Sequence, residues 1–172
     1  MDDVKEPVAD SVRDLVQFLE QTPARITQLI EGLSDSELRW RNSELEFSAL
    51  ENICHLRDLE TQGYLPRIKR MLDETDPALA DFDGARAAAE SNYNREQPDL
   101  AFAEFLLARK RNVQKLRSLS EEQLRREGSL EGVGRVTLKR LAEMMHEHDE
   151  GHLEDMRVLR QRLEILRSRE TS

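Results

Sequence analysis

The chain has 172 residues, of which 38% are apolar and 35% charged, and its net charge is −9. This length predicts a single domain over residues 1–172, and no cluster of basic residues is present that would bind nucleic acid. No apolar run approaches 18 residues, the first six residues lack the pattern of a signal peptide, and the one cysteine cannot form an internal disulfide. We therefore expect a cytoplasmic protein without a membrane span.

Two long helices are predicted in the first half of the chain. Apolar residues at helical spacing predict helix 1 over about 9–32, where Pro23 should kink the helix or split it with Thr22 as a cap. A Ser-x-x-Glu capping box at Ser48 begins helix 2, which runs to about residue 74 and should bend at Pro66. Two similar boxes predict short helical turns, and they begin at Ser34 and Ser120.

The second half of the chain predicts two more helices and two long connections. Proline, glycine and asparagine interrupt residues 76–98, which leaves room for a short helix over about 84–93. Helix 3 follows over about 98–119, and a glycine-containing segment then favours a small hairpin over 128–136. Thr137 should cap helix 4. The predicted fold is all-α, a four-helix up-down bundle with long loops between helices 2 and 3 and between helices 3 and 4.

Helix 4 carries three of the four histidines. Its core-facing stripe advances in steps of three and four residues and comprises Leu138, Leu141, Met145, His148, His152, Met156, Leu159, Leu163 and Leu166. His148 and His152 are therefore about 40° apart around the helix and roughly 6 Å apart along it, a spacing at which two imidazoles can bind one metal ion. His146 should point to another face.

His55 is the only histidine outside helix 4. If helices 2 and 4 run parallel in a simple up-down bundle, His55 lies roughly 10 Å and His148 roughly 16 Å beyond their helix caps, at similar depth. We therefore predict a divalent metal site formed by His55, His148 and His152. Because a single histidine on an apolar stripe is more often a core residue than a ligand, a helical bundle without metal is an alternative.

Three residues near these histidines have two interpretations each. Cys54 could be a soft ligand, but it lies about 100° around the helix from His55, so a packed apolar role is favoured. Asp149 and Glu51 could orient a ligand ring, or they could be ordinary solvated charges.

Two segments resemble the DinB-like protein family. Residues Phe47–Leu56 are similar to the family's W-S-A-L-E-x-L-x-H-L, and Val136–Leu141 with His148–Leu153 resemble V-T-L-x-x-L … H-D-x-x-H-L. Asp83-Gly84 and the steps Thr22-Pro23 and Leu33-Ser34-Asp35 also fit the family pattern. The resemblance covers nearly the whole chain and departs from the family at Phe47, where tryptophan is common.

This resemblance implies a four-helix bundle that binds a divalent metal through three histidines, which map onto His55, His148 and His152. The family includes transferases and isomerases that use low-molecular-weight thiols such as bacillithiol or mycothiol, so the resemblance implies a small-molecule substrate. We expect a metal-dependent transferase or related hydrolase with zinc or nickel. Related bundles often pair through helix faces, so a homodimer is expected. The alternative is a non-catalytic metal-binding bundle that acts as a structural or interaction module.

Overall fold

The computed structural model describes residues 9–170, except for the side chain of residue 170. Four long helical segments run through it, and shorter elements connect them. In chain order the elements are a 3-10 turn at Asp10–Val12, α1 Arg13–Ile30, α2 Asp35–Leu38, α3 Ala49–Asp58, a π-helical segment Leu59–Tyr64, α4 Leu65–Asp73, β1 Ala78–Leu79, α5 Gly84–Ser91, a 3-10 turn at Tyr93–Arg95, α6 Pro98–Arg117, α7 Glu121–Leu124, β2 Glu127–Leu130, β3 Gly134–Thr137 and α8 Leu138–Glu170.

The predicted helix starts are confirmed at atomic detail. Ser34, Ser48 and Ser120 each accept a hydrogen bond from the backbone N–H three residues later, and each box is closed by the returning Glu or Gln side chain. The Thr137 hydroxyl accepts from the backbone N–H of Arg140 at 3.0 Å and so caps α8. These caps satisfy N–H groups that a helix start otherwise leaves without partners.

The two prolines act differently from each other. Helix 1 is not split at Pro23: α1 continues through it, and Thr22 is a buried helical residue rather than a cap. Helix 2 comprises α3, the π-helical segment and α4, and Pro66 lies in the first turn of α4. A proline without its N–H disturbs the regular hydrogen-bond ladder, and a π-helical turn is one way to accommodate such a disturbance.

Predicted helix 3 corresponds to α6 and predicted helix 4 to α8. Helices 2 and 4 run antiparallel, which corrects the parallel arrangement expected for an up-down bundle. Asn52 contacts His152, whereas His55, farther along helix 2, contacts His148, which comes earlier in helix 4. The two helices pack side by side. His55, His148 and His152, called the triad below, therefore meet at an antiparallel crossing. The predicted similar depth of His55 and His148 along parallel helices was wrong.

Helices 1 and 4, by contrast, run parallel to each other. The Thr22 hydroxyl contacts Asp149, and farther along both helices Arg160 contacts the backbone oxygen of Leu29. With helix 2 antiparallel to helix 4, the first, second and fourth helices run up, down and up. The direction of helix 3 then completes the topology.

Helices 2 and 3 run parallel to each other. Arg57 binds Glu104, and later in both helices the Glu60 backbone oxygen accepts from Asn112. The bundle order is therefore up-down-down-up, which corrects the predicted alternating order within a confirmed four-helix bundle. Two consecutive parallel helices require a connection that returns along the bundle, and residues 74–97, which include α5, make this return.

A small three-stranded sheet packs at one end of the bundle. Strand β1 pairs in parallel with β2, and β2 pairs antiparallel with β3, with Gly128 opposite Val136. The β2–β3 hairpin confirms the predicted one, whereas the two-residue strand β1 was not predicted. Leu79, Leu130 and Val136 from the sheet join one of two apolar core clusters. Within residues 9–170, no helix combines the length and the apolar character needed to cross a membrane.

Candidate metal centre

The three histidines predicted as ligands meet between α3 and α8. The Nε2 atom of His148 lies 3.1 Å from Nε2 of His55 and 3.1 Å from Nε2 of His152. One ring nitrogen of each residue lies within 4.8 Å of the other two. Among the residues that the structure describes, this is the one group of histidine, cysteine and carboxylate side chains whose geometry suits a metal ion.

The triad holds its rings neutral at physiological pH. Burial lowers the pKa of His55 to about 4, with a smaller contribution from His148. Burial, followed by a neighbouring histidine, likewise lowers the pKa of both His148 and His152 to about 4. A neutral imidazole is the form that ligates a metal, because an imidazolium has no free lone pair.

The spacing of the ring nitrogens fits a bound ion. Nitrogens bound at about 2.0–2.1 Å to a tetrahedral zinc ion lie roughly 3.3 Å apart. The observed 3.1 Å separations from His148 Nε2 are close to that value. The Nδ1 atoms of His55 and His148 are buried and have no hydrogen-bond partner. The donor set of three neutral nitrogens therefore suits a divalent ion such as zinc or nickel.

Asn52 contacts the triad directly, although it was not among the predicted site residues. Its Oδ1 atom lies 2.6 Å from Nδ1 of His152, and its side chain is fully buried. Asn52 lies three residues before His55, so both side chains face the same side of α3. A polar residue on a core-facing helix position was the available signal, since a buried amide needs a hydrogen-bond partner.

Aromatic side chains surround the ring of His55. The ring centroids of Phe47 and Phe82 lie 5.6 and 6.0 Å from that of His55. Phe47 comes from the segment before α3, and Phe82 from the segment before α5. His55 is 8% exposed, whereas His148 and His152 are only half-buried. The two triad histidines of α8 are therefore more exposed than His55.

Two residues near the triad in sequence lie outside it. His146 packs its ring against Phe18 of α1, with centroids 4.1 Å apart, and so points away from the other two histidines of helix 4, as predicted. Cys54 is fully buried, and its sulfur lies 3.9 Å from the backbone oxygen of Tyr93. Burial, as the main cause, raises the pKa of Cys54 to about 12. A thiol so hard to ionise is a poor ligand and a poor nucleophile.

Asp149 does not orient a ligand ring. It is 1% exposed and accepts hydrogen bonds from the Thr22 hydroxyl at 2.7 Å and from both terminal nitrogens of Arg109 at 2.5 and 2.8 Å. Arg109 also binds the buried carboxylate of Glu60 in the π-helical segment. Asp149 therefore belongs to a buried ionic cluster that joins helices 1, 2, 3 and 4.

Glu51 does not orient a ligand ring either. Its carboxylate closes the capping box at Ser48 and accepts hydrogen bonds from the Arg41 guanidinium. The carboxylates of Glu51 and Asp149 are thus structural. Neither is an ordinary solvated charge, because Glu51 is 3% exposed and Asp149 is 1% exposed. The residue whose side chain forms a hydrogen bond with a triad ring is Asn52.

Comparison with known proteins places the chain in a family. The family model described as "DinB superfamily" matches residues 19–156. The Bacillus subtilis protein named "Putative metal-dependent hydrolase YfiT" is 25% identical over 123 residues, which cover 71% of this chain and 68% of that protein. The solved structure of YfiT, a four-helix bundle of unusual topology, matches with a TM-score of 0.79 at 23% identity, covering 87% of this chain and 86% of the other. The chain therefore belongs to the DinB superfamily.

Proposed function

We propose that His55, His148 and His152 bind a divalent metal ion, with zinc or nickel as the first candidates, and that the chain is a metal-dependent enzyme acting on a small molecule. The observation that carries this proposal is the pair of 3.1 Å separations from His148 Nε2 to the other two Nε2 atoms. Neutral buried rings at that spacing, without a carboxylate between them, favour metal binding over a packed core.

Three protein ligands favour a catalytic ion over a structural one. Structural zinc sites are normally closed by four protein ligands, whereas catalytic sites keep a position open. His148 and His152 are partly exposed, so the proposed site is not fully closed off from solvent. A bound divalent ion would supply Lewis acidity, which lowers the pKa of a coordinated water or thiol.

The attacking group in the proposed reaction comes from outside the chain. Cys54 is buried and its pKa is raised to about 12, so it does not supply a thiolate. Hydrolysis by water is the first candidate reaction, because YfiT is named as a metal-dependent hydrolase. Transfer to a low-molecular-weight thiol is the second candidate, because the DinB-like family that the chain resembles includes thiol-dependent transferases.

Metal analysis of the untagged protein tests the ligand assignment. The wild-type chain should carry about one divalent ion, and His55→Ala, His148→Ala and His152→Ala should each lose most of it. His146→Ala is the matched control on α8 and should retain the ion, because its ring packs against Phe18. Equal loss in His146→Ala, or no metal in the wild type, would contradict the proposal.

An activity assay then distinguishes the two reactions from a non-catalytic metal-binding module. The metal-loaded protein is tested with activated esters in water and with thiols plus an electrophile. Turnover of either set should disappear in His55→Ala and survive in Cys54→Ala. Stoichiometric metal with no turnover of either set, together with unfolding when the metal is chelated, would favour a structural role for the ion.

A further inference from the structure

We propose that Asn52 is a positioning residue that holds the His152 ring as the Nδ1–H tautomer, with Nε2 unprotonated and turned toward His55 and His148. This inference rests on the proposed metal site. The contact between Asn52 Oδ1 and His152 Nδ1 measures 2.6 Å, and the Asn52 side chain is fully buried. No water can therefore replace this contact without a change in packing.

The neighbours of Asn52 determine which amide atom faces the histidine. Its Nδ2 atom lies 2.9 Å from the backbone oxygen of Ser48, and a carbonyl oxygen can only accept a hydrogen bond. The nitrogen must therefore point to Ser48, and the oxygen must point to His152. Reversing the amide would place the Asn52 and Ser48 oxygens against each other and would leave the Ser48 contact without a donor.

The orientation of the amide in turn fixes the proton on the histidine. An amide oxygen only accepts, so His152 Nδ1 must carry the hydrogen. In the neutral ring the lone pair is then on Nε2, the atom that lies 3.1 Å from Nε2 of His148. The ligand nitrogen is thus available without rearrangement when an ion enters.

Helix α3 supplies the rigid support for this arrangement. Ser48 caps α3 and its side chain accepts from Glu51, so the carbonyl that fixes Asn52 belongs to a well-anchored helix start. His55 extends from the same helix one turn later. A single short segment therefore carries one proposed ligand and fixes the tautomer of another.

The other two rings lack an equivalent partner. The Nδ1 atoms of His55 and His148 are buried without a hydrogen-bond partner in the described structure. Loss of Asn52 should therefore affect one identifiable ring of the triad. Removal of an outer partner of a ligating histidine typically lowers metal affinity by roughly 10- to 100-fold.

The test combines a spectroscopic and a binding measurement. Ring ¹⁵N shifts of the metal-free protein report which nitrogen of His152 carries the proton, and competition with a chelator gives the affinity for Zn²⁺. We expect the Nδ1–H form in the wild type, and loss of that preference with roughly 10- to 100-fold weaker Zn²⁺ binding in Asn52→Leu. Asn52→Asp keeps an accepting oxygen toward His152 and should retain the Nδ1–H form, although its second oxygen then faces the backbone oxygen of Ser48 and lowers stability.

A matched control separates positioning from general loss of stability. Asn112→Leu removes another fully buried asparagine, one that binds Glu60 rather than a histidine, and should leave both measurements unchanged. Asn52→Ala replaces Asn52→Leu if the larger side chain prevents folding. An unchanged His152 tautomer in the folded variant, or an equal effect in Asn112→Leu, would overturn the proposal. Failure of the wild type to bind Zn²⁺ would refute the metal site, while the tautomer of the metal-free protein would still decide the role of Asn52.

Discussion

Gly84 lies directly against the ring of His55. A Cβ atom at Gly84 would be 2.3 Å from Cε1 and 2.6 Å from Nδ1 of that ring, both far inside van der Waals contact. Gly84 is the first residue of α5, so the connection between helices 2 and 3 reaches the proposed metal site at this point. The absence of a side chain at Gly84 therefore leaves the space that the His55 ring occupies.

We expect Gly84→Ala to weaken metal binding more than it weakens folding. The added methyl group must displace the His55 ring, because that ring is buried between Phe47 and Phe82. A ligand nitrogen displaced by about 1 Å should cost at least tenfold in Zn²⁺ affinity, similar to the loss of an outer partner. Chelator competition measures the affinity, and urea denaturation measures the free energy of unfolding.

Gly151→Ala is the control for this substitution. A Cβ at Gly151 would meet nothing within 4 Å, and the residue lies in α8 beside His152. Alanine in an exposed helix interior is more favourable than glycine by about 0.5–1 kcal/mol, so this variant should gain stability and keep its metal affinity. The same loss of affinity in both variants would contradict the steric explanation.

We expect the positive charge of Arg109 to stabilise the fold, because it neutralises the buried ionic cluster. Arg109 is 2% exposed and binds the carboxylates of Glu60 and Asp149 as well as the backbone oxygen of Leu19. Arg109→Met leaves two buried carboxylates without their cation, which should cost roughly 3–5 kcal/mol of unfolding free energy. Urea denaturation of the metal-free protein measures this loss.

Arg157→Met provides the comparison on the surface. Arg157 pairs with Glu154 on α8, and both side chains are about half exposed, at 49% and 57%. Exposed pairs of this kind contribute about 0.2–1 kcal/mol, so the variant should lose little stability. A loss in Arg109→Met as small as that in Arg157→Met would mean that the cluster does not stabilise the bundle through its charges.

Local patterns predicted the long helices and placed His148 and His152 on one face of helix 4. The stripe that contains His148 and His152 follows the 3.6-residue period, and the caps at Ser48 and Thr137 depend on residues within one helical turn. Such signals need no knowledge of distant contacts. They therefore remain valid even where the predicted topology is wrong, as it was for the directions of helices 3 and 4.

The parts that the sequence did not predict depend on distant partners. The parallel course of helices 2 and 3 follows from how residues 74–97 return along the bundle, and β1 exists only because β2 lies beside it. Asp149 was predicted as a solvated or ring-orienting charge because its partner Arg109 is on another helix. The core-facing position of Asn52 in helix 2 indicates a buried amide that needs a partner, but only the structure shows that this partner is His152.

A homodimer through the outer face of α6 is the assembly that we propose. Leu100 and Leu107 are 59% and 66% exposed and lie seven residues apart on that face. In an antiparallel pairing about a two-fold axis near Leu107, Glu104 of one copy would face Arg111 of the other. Leu107→Glu should therefore shift the assembly toward monomer by at least tenfold in dissociation constant, since it removes apolar burial and places like charges at the axis.

Light scattering after size-exclusion chromatography measures this change across a range of concentrations. Val133→Glu is the control, because Val133 is also 59% exposed but lies in the turn between β2 and β3. It should leave the assembly unchanged. A wild-type chain that is monomeric at every concentration, or a Leu107→Glu variant that remains dimeric, would refute this interface.

The stability of the metal-free protein should fall as the pH falls below about 6.5. Burial lowers the pKa of each triad histidine from 6.5 to about 4 in the folded state, so the unfolded chain binds more protons than the folded chain between these values. The stabilisation that comes from keeping the three histidines neutral is fully present above about pH 6.5 and is lost progressively as the pH falls toward 4. Between pH 7.5 and 5.5 each histidine should cost roughly 1 kcal/mol of unfolding free energy.

Urea denaturation at the two pH values, in the presence of a chelator, measures this loss. His148→Leu removes one titrating ring from the buried group without removing its volume, so the fall in unfolding free energy should be about 1 kcal/mol smaller than in the wild type. The window stays above pH 5.5 because carboxylates such as Glu37, whose pKa the Arg167 guanidinium lowers to about 2, add their own pH dependence at lower pH. The same pH dependence in His148→Leu and the wild type would mean that the triad is not the source of the acid sensitivity. It would also contradict the neutral, buried rings on which the proposed metal site depends.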